Sequence, residues 1–424
     1  MQVDLLIHSA SQVVTCASPE GRRRGHEMSE VGIIPDGAVA IQGDTIVGIG
    51  KSSDLLAEYQ ATQQIDAAGM VVCPGFVDPH THVVYAGDRI GEFESRIQGK
   101  TYMEIMREGG GILSTMRAVR AASVEQLVTE SRPRLDMMLA LGTTTAEVKT
   151  GYGLDTDSEL KMLNAIAALA ETHPMDIVPT FMGAHAIPSE YRDHPDEYVE
   201  MVIREMLPAV IDWYRSNQSC FPNVPFFIDV FCENNAFDVA QSSSILQAGA
   251  ELGLRVKAHV DEFTALGGVQ MGIALGAVSL DHLDATQSDD DINTLAASST
   301  AAVILPAVNF NLGSTHFADA RSLIDANAIV ALATDINPGS SPCPSMPLVM
   351  AIACRYQRLL PSEALIASTI NAAYAVGLSD RVGSLEPGKQ ADLLLIDAPD
   401  YRHLAYQFGG NLVRHVIKKG VQVV

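Results

Sequence analysis

The sequence predicts an α/β chain: a (β/α)8 TIM-type barrel with a small β-sandwich domain formed from both chain termini. Three observations predict it. Through the middle of the chain, apolar β-branched runs alternate with helical patterns, as in VEQLVTESRPRLDMMLALG (124–142), TTTAEVKTGYG (143–153) and ELKMLNAIAALAET (159–172); such alternation builds parallel sheets. Candidate strands end near His82, Lys149, His185, Glu233, His259, His282, Pro306 and Asp335, and eight strands are enough to close a barrel. The two ends of the chain read differently, as short β-type runs punctuated by turns.

At the N-terminal end these runs are VDLLIHS (3–9) and GAVAIQGDTIVGIG (37–50), with Gly43 and Asp44 between two alternating segments. At the other end the turn-rich GSLEPGKQ (383–390) leads into QADLLLIDA (390–398) and HVIKKGVQVV (415–424). Residues 1–72 and 384–424 are therefore assigned to the composite sandwich and 73–383 to the barrel. The total of 424 residues suits one large barrel with an appendage. A helical insert around 189–215 is longer than a minimal crossover and is a candidate cover for the site. Gly109, Gly110 and Gly111 open ILSTMRAVR and read equally as a ligand-approaching loop or an ordinary turn before a helix.

Composition narrows the function classes. With 47% hydrophobic and 19% charged residues the chain is far from the regime of disorder. A formal net charge of -23 opposes binding to nucleic acid, and it repels small anions at long range, so an anion site needs its own local cation. Six cysteines without CxxC spacing fit free thiols in a reducing compartment. The first residues lack a basic segment followed by an apolar run, and no stretch approaches ~18 uninterrupted apolar residues. These features predict a cytoplasmic protein without a membrane partner. A homodimer is the default expectation for a symmetric soluble enzyme, with no surface assigned.

The sharpest motif is PGFVDPHTH (74–82). In a strand, residues two apart face one side, so His80 and His82 can present two imidazoles to one ion. One HxH pair is weak evidence. Two further strand ends strengthen it, with His259 in VKAH (256–259) and Asp335 in ALATD (331–335). Three neutral imidazoles and one carboxylate suit Zn2+, with Fe as an alternative, and leave room for a water of lowered pKa. Glu262, three residues beyond His259, is placed to take a proton from that water and return it to a leaving group. His282 either polarises a carbonyl beside the ion or is itself a further ligand. Asp335 coordinates and either shares proton transfer or leaves it to Glu262. Arg89 offers a planar fork of donors, the local cation that an acidic chain requires for an anionic substrate.

HxH on the first strand, His on the fifth, His on the sixth and Asp on the eighth resembles the amidohydrolase superfamily pattern over essentially the whole chain, and GSLEPGKQADLLLID (383–397) looks like that superfamily's re-entry segment. Many members carry a bridging carboxylated lysine on the fourth strand. The corresponding FIDVFCE (227–233) offers none, which implies a single metal ion, divalent or trivalent, per subunit; Lys149, on the second strand, reads as structural or as an ion-pair partner. Within the superfamily, HTHVVYAGDR (80–89), EVKTGYGL (147–154), GAHAIP (183–188), FCE (231–233), HVDE (259–262) and TDINPGSS (334–341) are similar to the imidazolonepropionase family. HVDE stands where that family has HADE, and EVKTGYG where it has EVKSGYG; neither change touches a group able to do chemistry. The resemblance implies hydrolytic opening of 4-imidazolone-5-propanoate to N-formimidoyl-L-glutamate in histidine degradation. It also implies that Arg89, Tyr152, His185, Glu262, Asn337, Gly339 and Ser340 contact substrate or product. Two other readings stand beside it: a heterocycle deaminase on the same barrel, and a metal-free scaffold.

Overall fold

The computed structural model describes residues 1–100, 104–105 and 109–424. Eight parallel strands follow one another around the barrel: β6 (Phe76–Asp78), β7 (Thr143–Lys149), β8 (Asp176–Ala184), β9 (Phe227–Cys232), β10 (Arg255–Val260), β11 (Ser279–His282), β12 (Ala301–Ile304) and β13 (Ile329–Leu332). Covered on both sides, these strands bury nearly all of their residues, polar ones such as Thr143, Thr144 and Thr145 included. Alternate residues divide the work. Ala302 and Ile304 of β12 pack outward with the helices, while Ala301 and Val303 join Phe227, Ile329 and Ala331 in an inner cluster with Ala372 and Ala373 of the helix Ile370–Ala375.

Above that apolar layer the inward positions turn charged. Glu147, Lys149, Asp229, Lys257 and Asp281 are all 0–1% exposed. The barrel closes between β6 and β13 just past their regular ends: Asp335 N–H donates to His80 O at 3.1 Å, His82 N–H to Ile336 O at 3.0 Å, and Thr334 N–H to the Asp78 carboxylate at 3.1 Å. The closing seam is thus made by the segments that carry the HxH motif and Asp335.

Several regular strands stop short of the ends the sequence suggests. β6 ends at Asp78 and β13 at Leu332, so His80, His82 and Asp335 lie on the turns beyond them. Pro79 has no N–H to continue a ladder, which ends β6 there.

The terminal strands form one branched sheet, ordered β16 (Val421–Gln422), β15 (Val413–Lys418), β14 (Leu393–Ile396), β5 (Val71–Pro74), β1 (Gln2–Val14), β2 (Ile33–Gln42), β3 (Thr45–Lys51), with β4 (Gln60–Asp66) also on β1. β1 is long enough to pair with β4 through its first half and β5 through its second, with a register shift around Ser9, where φ is 61°. Leu5, Ile7, Val39 and Ile41 from one part meet Val72, Leu393, Leu395 and Ile417 from the other in a shared core. No helix among the described residues is long and apolar enough to cross a membrane.

The sheet and barrel are joined at the start of β8. Lys418 Nζ lies 2.7 Å from Asp176 Oδ2 and 2.6 Å from Asp392 Oδ2, and Lys419 Nζ lies 2.7 Å from Asp176 Oδ1. Burial opposes the Asp176 charge, but Lys418 and Lys419 overcome it and hold its carboxyl below the usual range. Removing the nearly buried Lys418 leaves Asp392 without its cation and Asp176 with Lys419 alone, so Lys418→Ala should cost about 3 kcal/mol in denaturant unfolding. Because the folded-state pKa of Asp176 is depressed, its contribution is complete above the unfolded value of about 3.9 and is lost as pH falls below it. The stability gap between wild type and Lys418→Ala should therefore narrow in acid.

Candidate metal and substrate site

Four ligand atoms converge at the top of the barrel. His82 Nε2 lies 3.3 Å from His259 Nε2 and 3.6 Å from Asp335 Oδ1, and His80 Nε2 lies 3.5 Å from the same Asp335 oxygen. With bonds of about 2.0–2.1 Å, neighbouring ligand atoms of a five-coordinate ion lie about 2.9–3.6 Å apart, so these separations suit one ion with a fifth position open. His80 Nε2 and Asp335 Oδ1 are buried and make no hydrogen bond within the chain. Burial, reinforced by nearby cations for His80 and by neighbouring histidines for His82, lowers both pKa values well below the ordinary value. Both are neutral imidazoles, the form that coordinates a metal.

The rings are aimed from behind. His80 Nδ1 is 2.7 Å from Asp281 Oδ2, and His259 Nδ1 is 3.0 Å from Asp229 Oδ1. In each pair Nδ1 donates to the carboxylate, which leaves Nε2 as the coordinating lone pair. Lys149 Nζ donates to Asp229 Oδ2 at 2.7 Å and to Glu147 at 2.8 Å; Lys257 Nζ donates to Glu147 at 3.0 Å and to Pro79 O at 2.6 Å. Burial alone would discharge Lys149, but Asp229, Glu147 and Asp281 hold it protonated. The lysine is an ion-pair partner, one of the two roles its sequence position suggested. Asp229, Asp281, Glu147 and Lys257 were not singled out from sequence, although charged residues inside otherwise apolar strands were the available signal.

The turn geometry at the strand ends is unusual for residues with side chains. Asp261, His282, Leu283 and Asp335 have positive φ of 55°, 82°, 63° and 50°, conformations that persist only where surrounding structure enforces them and that cluster at functional sites. His282 is placed with Nε2 3.8 Å from Glu262 Oε2. Burial first, then Asp335, Asp284 and Glu233, raises the Glu262 pKa well above that of an ordinary carboxyl. Burial likewise keeps His282 neutral.

One cavity gathers nearly every residue that the sequence nominated: His82, Arg89, Tyr152, His185, His259, Glu262, His282, Asp335, Asn337, Gly339 and Ser340 line it, with Arg96, Phe231 and Phe263 added. His80 lies deeper, its ring centroid 4.3 Å from that of His259. His185 stacks on His82 at 4.8 Å and pairs through Nδ1 with Gly151 O at 3.0 Å, so its Nε2 is an acceptor; burial pulls its pKa down to about 3. The Tyr152 loop is held by buried Glu159, which accepts from the N–H groups of Gly151, Gly153 and Leu154 at 2.8–3.1 Å.

Arg89 is held by Glu92, whose Oε2 accepts from Nε at 2.9 Å and lies 2.8 Å from Nη2. A Cβ on Gly339 would sit 2.1 Å from Arg89 Nη1, so this glycine makes room for the guanidinium. The Asn337 amide is committed to its own turn: Oδ1 accepts from Gly339 N–H and Ser340 N–H, both at 2.8 Å, and Nδ2 donates to Asp335 O at 2.7 Å and Ser340 Oγ at 2.9 Å. Gly111 N–H donates to Glu92 at 2.9 Å, tying the start of the helix Ile112–Ala121 to the Arg89 helix. The 189–215 insert contributes no residue to the cavity lining.

A model of the amidohydrolase family matches residues 234–423. The chain is 57% identical to an imidazolonepropionase of Chloroflexus aggregans over 99% of its own length and 98% of the relative's, and 54% identical to one of Herpetosiphon aurantiacus over 98% and 96%. Among solved structures, an adenosine deaminase from Xanthomonas campestris with bound zinc superposes with a TM-score of 0.73 at 20% identity, covering 99% of this chain and 93% of that one. Escherichia coli guanine deaminase gives 0.70 at 15% identity over 99% and 98%. At such identities these two structures share the fold.

Replacing Asp281 by Asn removes the carboxylate behind His80 without altering any group that faces the ion. Metal affinity, measured by chelator competition, should weaken about 10- to 100-fold, with the circular dichroism spectrum retained.

Proposed function

Since the chain belongs to the imidazolonepropionase family, and is thus a hydrolase that opens the ring of 4-imidazolone-5-propanoate in histidine degradation, we propose how its residues divide that reaction. His80, His82, His259 and Asp335 hold a single ion, with Zn2+ preferred and Fe as the alternative for this donor set. When bound, such an ion lowers the pKa of a water and polarises the carbonyl that the water attacks.

The remaining steps belong to the side chains. Glu262 receives the proton from the attacking water and delivers it to the ring nitrogen that leaves, a double duty that suits a carboxyl whose pKa is raised by burial. His282, neutral, donates from Nε2 to the oxygen that gains negative charge. Arg89 binds the propionate, oriented by Glu92 and admitted by Gly339. Tyr152 and the His185 acceptor flank the ring. Asn337 and Ser340 act through the loop they brace, since the Asn337 amide is already satisfied there.

The observation that carries this reading is the placement of a four-atom metal cradle and an arginine fork in one cavity. A deaminase of a neutral heterocycle would gain nothing from Arg89. Freshly generated 4-imidazolone-5-propanoate should lose its ultraviolet absorbance with metal-replete protein, persist with chelated protein, and be consumed again after re-metallation; persistence with metal-replete protein would refute the reading. Arg89→Gln should raise KM about 10- to 100-fold, the value of a lost charge-assisted contact, and Gly339→Ala should raise KM in the same direction by displacing that arginine. Glu262→Gln should lower kcat about 10²- to 10⁴-fold with metal content unchanged.

A further inference from the structure

His282 is neutral and its Nε2 faces Glu262 in the catalytic cavity, so its usefulness depends on which ring nitrogen carries the proton. Its other nitrogen, Nδ1, is buried and without a hydrogen bond in the chain. So is Asp284 Oδ2. These two atoms lie 3.9 Å apart, and the Asp284 side chain is 5% exposed. Two unsatisfied buried polar atoms facing each other describe a contact that a movement of about 1 Å converts into a hydrogen bond, as catalytic hydrogen bonds tighten when substrate binds.

The other carboxyl oxygen is already fixed, because Ala318 N–H donates to Asp284 Oδ1 at 3.0 Å. Asp284 does not line the catalytic cavity; it lines a second one, which shares no residue with the first. Asp284 therefore touches His282 from behind and reaches no substrate. We propose that Asp284 is a positioning residue for His282, which it engages at Nδ1 to fix the Nε2–H tautomer aimed at the substrate. The proposal rests on the reading that His282 donates to the reacting oxygen.

The environment agrees with the geometry. Burial raises the Asp284 pKa to about 8, against the opposing hydrogen bonds of Ala318 and Asn309, so near neutral pH Oδ2 carries a proton and donates it to Nδ1. Above that value the ionised carboxylate becomes an acceptor, favours Nδ1–H, and turns the lone pair of Nε2 toward the substrate. The titratable groups that face Asp284 are His282 and Glu262 on the catalytic side, and His316, Asp319, Arg321, Tyr356 and Arg358 around the second cavity.

Asp284→Asn and Asp284→Ala test this in the metal-replete enzyme. In the Asn variant Ala318 N–H holds the amide oxygen at the Oδ1 position, which leaves the NH2 group to donate to His282 Nδ1 at every pH. Wild type should lose kcat above about pH 8, whereas this variant should keep kcat within about threefold of wild type near neutrality and lack that fall. The Ala variant should lower kcat about 10- to 100-fold with KM and metal content little changed, and the 15N shifts of His282 should report a mixture of tautomers. An unchanged alkaline limb in Asp284→Asn, or wild-type kcat in Asp284→Ala, would overturn the proposal, whereas a purely structural Asp284 predicts that same unchanged limb. His282→Gln separates the underlying reading: full kcat there would remove the catalytic role of His282 itself, and with it any need for Asp284.

Discussion

The hydrogen bonds from His80 to Asp281 and from His259 to Asp229 are the constraint on which the site depends. An imidazole can present either nitrogen, and this cradle needs His80 and His259 to present Nε2. The two carboxylates make that choice, but three carboxylates buried inside a barrel are costly unless paired. Lys149 and Lys257 supply the pairing, and both lie on strands that also contribute to the site. The charged layer between the apolar floor and the ligand atoms is thus the device that lets ionised groups sit fully buried while the histidines above stay neutral.

The rest of the cavity follows a similar rule, in which each group proposed to meet the substrate is fixed by one outside that set. Glu92 orients Arg89, Glu159 gathers the loop that presents Tyr152, Gly151 O sets the tautomer of His185, and the Asn337 amide braces the turn that carries Gly339. Two of the positive-φ residues at the strand ends, His282 and Asp335, line the cavity. An acidic protein can bind an acid here because the arginine fork is local and shielded.

The barrel was legible from the alternation of apolar runs and helical patterns, and the ligands from their spacing, because both depend on residues near one another in sequence or on repeated strand-end positions. Less visible were the partners that cross the barrel. Asp281 and His80 are 201 residues apart and Asp229 and His259 are 30 apart, and no local pattern links them. Strand ends were placed several residues late at β6 and β13, since the functional residues there continue the extended path after the ladder has stopped. The sequence nominated Asn337 as a contact by resemblance, while the structure shows its amide engaged within the turn, a distinction that only the hydrogen bonds reveal.

X-ray absorption at the metal edge of the purified, metal-replete protein tests the central claim most directly. One ion per chain is expected, with three imidazole nitrogens and one carboxylate oxygen at about 2.0–2.2 Å and a fifth position left to solvent. A second ion, or a fourth imidazole that brings His282 into the coordination sphere, would contradict it and would also remove His282 from the role of hydrogen-bond donor.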